Sequence, residues 1–386
     1  MNHTDPSAKI CESSDSLACS TETSKFTYKK WNGKKDKIKY SPKFINLLDD
    51  DEPVYTDKKL YKQVIKLGDK FGSQSGRARE ANPFENIGKS FFSNRAAIKL
   101  ANCDAVHKLC GVDFSQRNPT SDEEFTYCDI ASGPGSFTQY IQYRFPNSIG
   151  YGITLTHTKA SNDGQDLDWD SRIIDMDKFT PFYGTNKKNE SAGDLYRYWR
   201  DFGDFVLKEQ SDGVDLVMGD GGILIDGRES QQEFVSSRLL LVQILTGIIC
   251  TKEGGNFITK AFDLVTELSA ELLFILGMCF EVVIPFKPVS SRPMNAERYI
   301  ICKSRRNKIK QYVDILSLAA NDYTDSKYIK SMFEISPAIG RYLIDINTTN
   351  AKLRIEYLKR AIKYNETGEL IEESYNITKF LKIWGL

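Results

Sequence analysis

The chain has 386 residues, of which 40% are hydrophobic and 27% are charged, a composition that can fill a core and is ordinary for a soluble protein. Its 52 Lys and Arg residues balance its 52 Asp and Glu residues, so the net charge excludes no class of nucleic-acid partner. The 8 cysteines form no CxxC pair and the 3 histidines are scattered, which predicts reduced thiols and no metal site.

The N-terminal quarter has the composition of a tail and a basic extension. Residues 1–25 are rich in Ser, Thr and Asp and predict a disordered tail. In the extension, residues 26–76, lysines alternate with aromatics from Lys29 to Tyr40, a pattern that indicates an RNA-backbone contact, a nuclear-import signal or a solvated linker. The first thirty residues lack a signal-peptide core and no apolar run reaches membrane-spanning length, so no membrane partner is expected.

The pattern changes to alternating strands and helices in residues 77–303. A helix is predicted from an N-cap at Ser93 to a stop at Gly111. Strands are predicted over residues 125–130, 149–155, 214–218 and 257–262, and helices over 136–144, 234–250 and 267–280. Gly254 and Gly255 are the predicted stop of the helix 234–250, and residues 157–200 form a polar insertion with a helix near its end.

Two further strands, 281–284 and 297–302, are separated only by a loop and are predicted to pair antiparallel at the edge of the sheet. The fold class is therefore α/β, a Rossmann-like arrangement with a mostly parallel sheet, an antiparallel edge strand and helices on both faces. Residues 304–386 lack comparable strands and predict a small helical C-terminal appendage.

A glycine-rich turn follows the strand that ends with Asp129 and Ile130. Residues 131–137 read Ala-Ser-Gly-Pro-Gly-Ser-Phe, and small residues let the backbone approach a ligand closely. The spacing is not GxGxxG and Pro134 removes one N–H donor, which argues against a dinucleotide pyrophosphate. The turn suits a ligand without phosphate, such as S-adenosylmethionine, although a purely structural strand-to-helix turn has the same sequence features.

Four charged residues lie near the ends of predicted strands or on the first predicted helix: Lys99, Asp220, Lys260 and Glu297. Open α/β sheets bind ligands at such ends. The spacing between these residues is long, so their residue types alone do not join them into one site. Any one of them taken singly is more often a surface charge.

With these segments, the sequence resembles the FtsJ-like family of ribose 2′-O-methyltransferases and, within it, the cap-1 enzymes of eukaryotes and viruses. The resemblance covers residues 77–303 and is carried by residues 79–85, 92–99, 131–137, 214–222, 257–263 and 287–299. It implies a class I methyltransferase fold, S-adenosylmethionine as cofactor and a catalytic tetrad of Lys99, Asp220, Lys260 and Glu297. Two small residues differ from the family pattern, Ser136 for Gly and Gly219 for Ala.

The same resemblance implies the binding residues and partners. For the cofactor they are Ser132, Gly133, Pro134, Gly135, Ser136, Phe137 and Asp220, with Asp194 and Leu195 at the adenine. For the cap or the first nucleotides they are Arg77, Arg79, Ser230, Gln231, Gln232 and Asn295. Capped mRNA is then the substrate, the transcription or capping machinery a further partner, and the nucleus the expected compartment, or the cytoplasm for a viral protein.

The tetrad suits methylation of a ribose hydroxyl. Lysine acts as a base only when its pKa falls to roughly 7–8 through desolvation or neighbouring positive charge. Lys260 is the predicted base, Lys99 supplies the neighbouring charge, and Asp220 and Glu297 orient and balance the cations. No metal is required.

Three other functions stay open at this stage. The chain could methylate another RNA or the second cap-proximal nucleotide, which a requirement for a 7-methylguanosine cap and mapping of the product distinguish. It could be a non-catalytic cap- or RNA-binding scaffold, against which the complete tetrad argues. A nicotinamide-dependent oxidoreductase is disfavoured because the dinucleotide fingerprint is absent.

Overall fold

The computed structural model describes residues 39–45, 53–72, 92–114, 120–156, 168–184, 192–223, 231–324, 327–368 and 377–386. The strands in these ranges are β1 Lys43–Ile45, β2 Thr126–Ile130, β3 Ile149–Ile153, β4 Phe179–Pro181, β5 Val214–Gly219, β6 Thr251–Phe262, β7 Phe280–Phe286, β8 Glu297–Arg305 and β9 Tyr328–Ser331. The helices are α1 Lys58–Gly72, α2 Arg95–His107, α3 Ser136–Arg144, α4 Leu195–Glu209, α5 Gln232–Cys250, α6 Glu267–Cys279, α7 Lys310–Asp322, α8 Pro337–Thr367 and α9 Ile377–Ile383. The predicted tail at residues 1–25 lies outside the described residues.

Among the described residues, seven strands form one mixed sheet in the order β4-β3-β2-β5-β6-β8-β7. The first five are parallel, and β8 runs antiparallel to both β6 and β7. The predicted Rossmann-like α/β fold is confirmed, and so is the antiparallel pairing of the last two strands of the sheet. Strand order reverses between β2 and β5, and ligands bind at such a switch point in open α/β sheets.

The start and stop of α2 differ from the prediction by a residue or more. The N-cap is Asn94, whose extended backbone lets its side-chain oxygen accept from the N–H of Ala96 at 2.8 Å. Ser93 instead bonds Gln139 through its own N–H and hydroxyl. The helix ends at His107 because Lys108 takes a left-handed conformation with φ of 53°, ahead of the predicted stop at Gly111.

Gly254 and Gly255 do not stop the helix before them. Helix α5 ends at Cys250 and β6 begins at once with Thr251, so both glycines lie inside the strand. Gly254 has a positive φ of 77°, and a Cβ on Gly255 would lie 3.0 Å from the carbonyl oxygen of Asp215. The glycines therefore accommodate the irregular pairing of β6 with β5, where the register shifts after Val214.

Helix α5 corrects the expectation that no run reaches membrane-spanning length. Its 19 residues are long and apolar enough to cross a membrane by length and composition. However, 72% of the apolar window is buried inside the protein, where α5 packs on β6, α4 and α7. This burial is that of a core helix.

Residues 304–386 were predicted to be helical. They contain helices, but they also contain β9, which pairs antiparallel with β1. A strand of 4 residues paired with one of 3 is too short to show a period of two in the sequence, and the 3-residue β4 was missed for the same reason. The segment shares the hydrophobic core, since Leu316 of α7, Leu343 of α8 and Trp384 after α9 are all fully buried.

Arg144 links this segment to α3. It is the last residue of α3, it is fully buried, and its guanidinium lies 4.4 Å from the ring centre of Phe114. The two terminal nitrogens donate to the carbonyl oxygens of Trp384 at 2.5 Å and Gly385 at 2.9 Å. The end of the helix that follows the glycine-rich turn is therefore fixed by residues 384 and 385.

Candidate active site

The glycine-rich turn joins β2 to α3 at the switch point of the sheet. Its backbone is unusual at both ends, with φ of 54° at Ala131 and 108° at Gly135, the N-cap of α3. The N–H of Gly133 donates to Thr154 Oγ1 at 3.1 Å. Ser132 Oγ donates to the carbonyl of Ile130 at 3.0 Å and accepts from the N–H of Asp220 at 3.1 Å. This serine therefore ties the turn to the end of β5.

Asp129, at the end of β2, holds the helix that follows the turn through hydrogen bonds to Thr138. Its Oδ2 accepts from the N–H of Thr138 at 3.1 Å and from the Thr138 hydroxyl at 2.8 Å, which anchors the first turn of α3. Burial raises the pKa of Asp129 to about 7, although these hydrogen bonds oppose the shift. The residue is fully enclosed, and its role is to hold α3 in place under the turn.

Two ion pairs form the centre of the site. Lys260 Nζ lies 3.3 Å from Asp220 Oδ1, and Lys99 Nζ lies 2.8 Å from Glu297 Oε2. All four side chains are between 10% and 15% exposed. The four residues that the sequence placed far apart are thus brought together in two pairs, each of a lysine and a carboxylate.

Strand register explains why these side chains meet. Lys260 on β6 pairs with Tyr299 on β8, and Glu297 precedes Tyr299 by two residues, so all three side chains point to the same face of the sheet. Helix α2 covers that face and presents Lys99 to Glu297. Asp220 follows β5, the neighbour of β6, and completes the group.

One oxygen of the Asp220 carboxylate receives both a hydrogen bond and an ion pair. Tyr299 donates its hydroxyl to Oδ1 at 2.7 Å, and Lys260 approaches the same atom. The N–H of Gly221 donates to Gln243 Oε1 at 3.0 Å, which fixes the main chain just beyond. A Cβ on Gly222 would lie 2.9 Å from Lys260 Cε, so the absence of a side chain there leaves space for the lysine.

Glu297 is ionised in the folded protein. Its Oε1 accepts from Ser291 Oγ at 2.6 Å, and its Oε2 accepts from Lys99. Burial alone raises the pKa of Glu297, but the charges of Lys99, Lys260 and Lys287 outweigh burial and hold that pKa well below its usual range. The site therefore carries a stable negative charge opposite its lysines.

Lys287 is a buried lysine that the sequence analysis did not single out. It lies at the start of the β7–β8 loop, and its Nζ donates to the carbonyl oxygens of Asn295 at 3.0 Å and Glu297 at 2.7 Å, and to the Asn295 side-chain oxygen. Burial lowers the pKa of Lys287 well below its ordinary value, while the Glu297 carboxylate opposes the shift. Lys287 thus fixes both ends of residues 295–297.

The predicted adenine residue Asp194 lies at the same edge of the sheet. It is the N-cap of α4, and its Oδ1 accepts from the N–H of Tyr196 at 2.9 Å. The preceding Gly193 packs directly on β3, since a Cβ there would lie 1.8 Å from the carbonyl oxygen of Thr154. The side chains of Leu195 and Phe137 are buried in the core at 5% and 1% exposure.

The structure describes only some of the predicted substrate-binding residues. Arg77, Arg79 and Ser230 lie outside the described residues. Gln231 is the exposed N-cap residue of α5, and Gln232 is the first residue of that helix. The side-chain oxygen of Asn295 is engaged by Lys287, so this residue stabilises the loop before Glu297.

The residues at the switch point suit S-adenosylmethionine. Asp194 and Asp220 place two carboxylates on either side of the turn, and the backbone of the turn carries no side chain larger than Pro134 between Ala131 and Gly135. The Asp220 carboxylate favours the positive sulfonium and ammonium groups of that cofactor, and both carboxylates disfavour a pyrophosphate. Within the described ranges, no group of three His, Cys, Asp or Glu residues is arranged to hold a metal ion.

Sequence signals existed for two of the residues that were missed. Tyr299 stands two positions after Glu297 in a predicted strand, which places both on one face. Gln243 is the polar residue within the apolar stretch 239–245 of α5, and it is 1% exposed. Lys287 and Ser291 carried no signal apart from lying in a segment that resembles the family, because Lys287 bonds mainly to main-chain carbonyls and Ser291 bonds to Glu297 across the β7–β8 loop.

Comparison with known proteins shows similarity to methyltransferases. Residues 92–305 match the family model described as FtsJ-like methyltransferase. Cap-specific mRNA (nucleoside-2′-O-)-methyltransferase 1 of Danio rerio is 32% identical over 370 residues, covering 87% of this chain and 43% of the relative. The Homo sapiens protein of the same name is 33% identical over 367 residues, with the same coverage of 87% and 43%. The chain therefore spans less than half the length of these curated relatives.

A solved structure with similarity to this chain is a putative ribosomal RNA methyltransferase from Plasmodium falciparum. It is 22% identical, with a TM-score of 0.34 over 55% of this chain and 98% of that one.

Proposed function

This chain belongs to the FtsJ-like methyltransferase family, and we propose that it transfers a methyl group from S-adenosylmethionine to the ribose 2′-hydroxyl of the first transcribed nucleotide of capped mRNA. The observation that carries the proposal is the meeting of Lys99, Asp220, Lys260 and Glu297 in two buried ion pairs beside the glycine-rich turn. The names of the relatives support capped mRNA as the substrate.

The cofactor, when bound, supplies an electrophilic methyl group on a positively charged sulfur. Residues 131–135, Asp220 and Asp194 would hold it at the carboxyl ends of β2, β3 and β5. Alignment of the ribose oxygen with that methyl group supplies much of the rate enhancement, since well-oriented groups contribute about 7–11 kcal/mol. The stiffness of the turn, tied to β5 by Ser132, serves this alignment.

Lys260 is the proposed base that takes the hydroxyl proton. Its Nζ lies next to Gly222 and is oriented by Asp220. Each lysine of the group is paired with a carboxylate, which offsets part of the cost of removing these charges from water. Lys99 is fixed by Glu297, which leaves Lys260 as the lysine nearest the acid beside the cofactor turn.

Methyl transfer from labelled S-adenosylmethionine to short RNAs tests the proposal. The acceptors are one RNA with a 7-methylguanosine cap and the same RNA without it, and the modified nucleotide is mapped. We expect transfer to the 2′-hydroxyl of the first nucleotide of the capped RNA, and none with the Lys260→Met variant. Equal transfer to uncapped RNA, or modification of another nucleotide, would contradict the proposed substrate. Binding of capped RNA without any transfer would indicate a scaffold.

A further inference from the structure

Helix α8 contacts the loop that precedes Glu297, although the two are separated by β8, α7 and β9 in the chain. Arg354 of α8 is 7% exposed, and its Nε donates to the carbonyl oxygen of Met294 at 3.3 Å. Its Nη1 forms a buried ion pair with Asp263, which directly follows β6. One side chain thus joins the loop before Glu297 to the end of the strand that carries Lys260.

Asn347 makes a second link one and a half to two turns earlier on the same helix. Its Oδ1 accepts from Arg298 Nη1 at 2.8 Å, and Arg298 is the neighbour of Glu297. Its Nδ2 donates to the carbonyl oxygens of Leu264 at 2.8 Å and Tyr55 at 2.7 Å. Asn347 is 2% exposed, and its bonds to Arg298 and Leu264 are shielded from water and costly to lose.

The main chain between these two contacts is strained. Asp263 and Leu264 both have positive φ, at 42° and 63°, although neither is glycine. Such residues persist only where the surrounding structure determines their conformation. The N–H of Asp263 donates to the carbonyl of Ala296 at 3.1 Å, so the strained bend holds the residue that precedes Glu297. Both bent residues are in turn held by α8, Asp263 by Arg354 and Leu264 by Asn347.

We propose that Arg354 and Asn347 are positioning residues for methyl transfer, which hold the bend at 263–264 and the loop so that Glu297 stays paired with Lys99. The proposal rests on the proposed function. Neither residue reaches the tetrad, since their bonds end on Asp263, Leu264, Met294, Arg298 and Tyr55. A displacement of about 1 Å in a catalytic group can reduce the rate about 100-fold. We call the bend at 263–264 and its links to Arg354 and Asn347 the frame. Loosening this frame is expected to lower turnover without removing a tetrad side chain.

The test uses a variant that removes the buried charges together. Arg354→Met alone leaves Asp263 buried and unpaired, and the protein then loses stability for that reason alone. The double variant Arg354→Met/Asp263→Asn avoids this, and Asn347→Ala tests the second link. Leu343→Ala is the matched control, because Leu343 is a fully buried residue of α8 in the core cluster that contains α5 and α6, away from the loop.

We expect the double variant and Asn347→Ala to lower kcat on capped RNA at least tenfold at a temperature where they are folded, with S-adenosylhomocysteine affinity unchanged within twofold. Leu343→Ala lowers Tm but leaves kcat within twofold. In a Glu297→Gln background, the double variant should lower kcat further by less than twofold, because both changes act on one group. Equal fold losses in the two backgrounds, or an unchanged kcat in a folded double variant, would overturn the proposal.

A readout that needs no substrate separates this proposal from the proposed function. Amide hydrogen exchange at residues 294–298 should accelerate in the double variant and in Asn347→Ala but not in Leu343→Ala. Unchanged exchange in this segment overturns the positioning role even if the wild-type protein methylates capped RNA. Accelerated exchange in a protein that transfers no methyl group to any RNA supports the frame and contradicts only the proposed reaction.

Discussion

Replacing Tyr299 by phenylalanine removes one hydroxyl from the centre of the site. That hydroxyl donates to Asp220 Oδ1 at 2.7 Å, the same oxygen that Lys260 approaches at 3.3 Å. A hydrogen bond to a charged group contributes about 1.5–3 kcal/mol. About 1.36 kcal/mol corresponds to a factor of ten in rate. If the whole energy of this bond is lost from the transition state because Asp220 is no longer oriented, kcat falls roughly 10- to 150-fold.

Tyr140 supplies the matched control. Its hydroxyl donates to Asp104 Oδ2 at 2.7 Å, and both tyrosines are fully buried. Tyr140→Phe therefore removes the same kind of bond at the same distance, but Asp104 is not part of the tetrad. Both variants should lose similar stability on thermal unfolding, and only Tyr299→Phe should lose turnover.

Single-turnover methylation of capped RNA measures the effect on the chemical step, and calorimetry with S-adenosylhomocysteine measures cofactor affinity. We expect that affinity to change by less than threefold in Tyr299→Phe. A Tyr299→Phe protein with kcat within twofold of wild type would refute a role of this hydroxyl in orienting Asp220. An equal loss of kcat in Tyr140→Phe would show that general loosening of the core is responsible.

Four further outcomes are expected. Lys260→Ala abolishes transfer with cofactor affinity kept within a few-fold, and near-wild-type turnover would remove the assignment of the base. Gly222→Ala pushes on Lys260 and lowers kcat, whereas Gly68→Ala, where a Cβ meets nothing within 4 Å, leaves kcat unchanged. Asp194→Ser keeps a residue that can cap the helix, so Tm should not change. Calorimetry should show weaker binding of S-adenosylhomocysteine, and unchanged binding would contradict the contact with adenine. Burial raises the pKa of Glu271 to about 8, so the folded protein binds this proton more tightly than the unfolded chain, and stability falls as pH rises from about 4.5 to 8. Glu271→Gln should show a smaller drop in Tm between pH 5 and 8, and an equal drop would contradict the shift.

The order of elements was predictable because its signals are local, whereas the four proposed tetrad residues were identified through the resemblance. Alternating apolar strands and helices predicted the sheet, and the antiparallel edge followed from the short connection between residues 284 and 297. The tetrad was predicted only because several segments together resembled one family. Nothing in the composition or spacing of Lys99, Asp220, Lys260 and Glu297 showed that they meet.

The frame around the tetrad was not predictable for a physical reason. Asn347 and Arg354 lie on a long helix and look like ordinary polar positions in the sequence. Their burial depends on Asp263 and Arg298, whose positions follow from the register of β6 with β8. A buried polar group is evident only once its partner is known, and here the partners lie in segments far apart in the chain.

The placement of α8 and of residues 384–385 has a consequence for the nascent chain. The last tetrad residue is Glu297, but the Arg354 and Asn347 contacts to its loop, and the carbonyl groups that receive Arg144 of α3, come later in translation. At about 5–20 residues per second, the ribosome takes roughly 3–11 s to extend from residue 297 to residue 354. During that interval the strained backbone at Asp263 and Leu264 has no helix to hold it. A chain released there would carry all four proposed tetrad side chains and still lack the contacts that fix the site, so the proposed methylation depends on synthesis of residues well beyond Glu297.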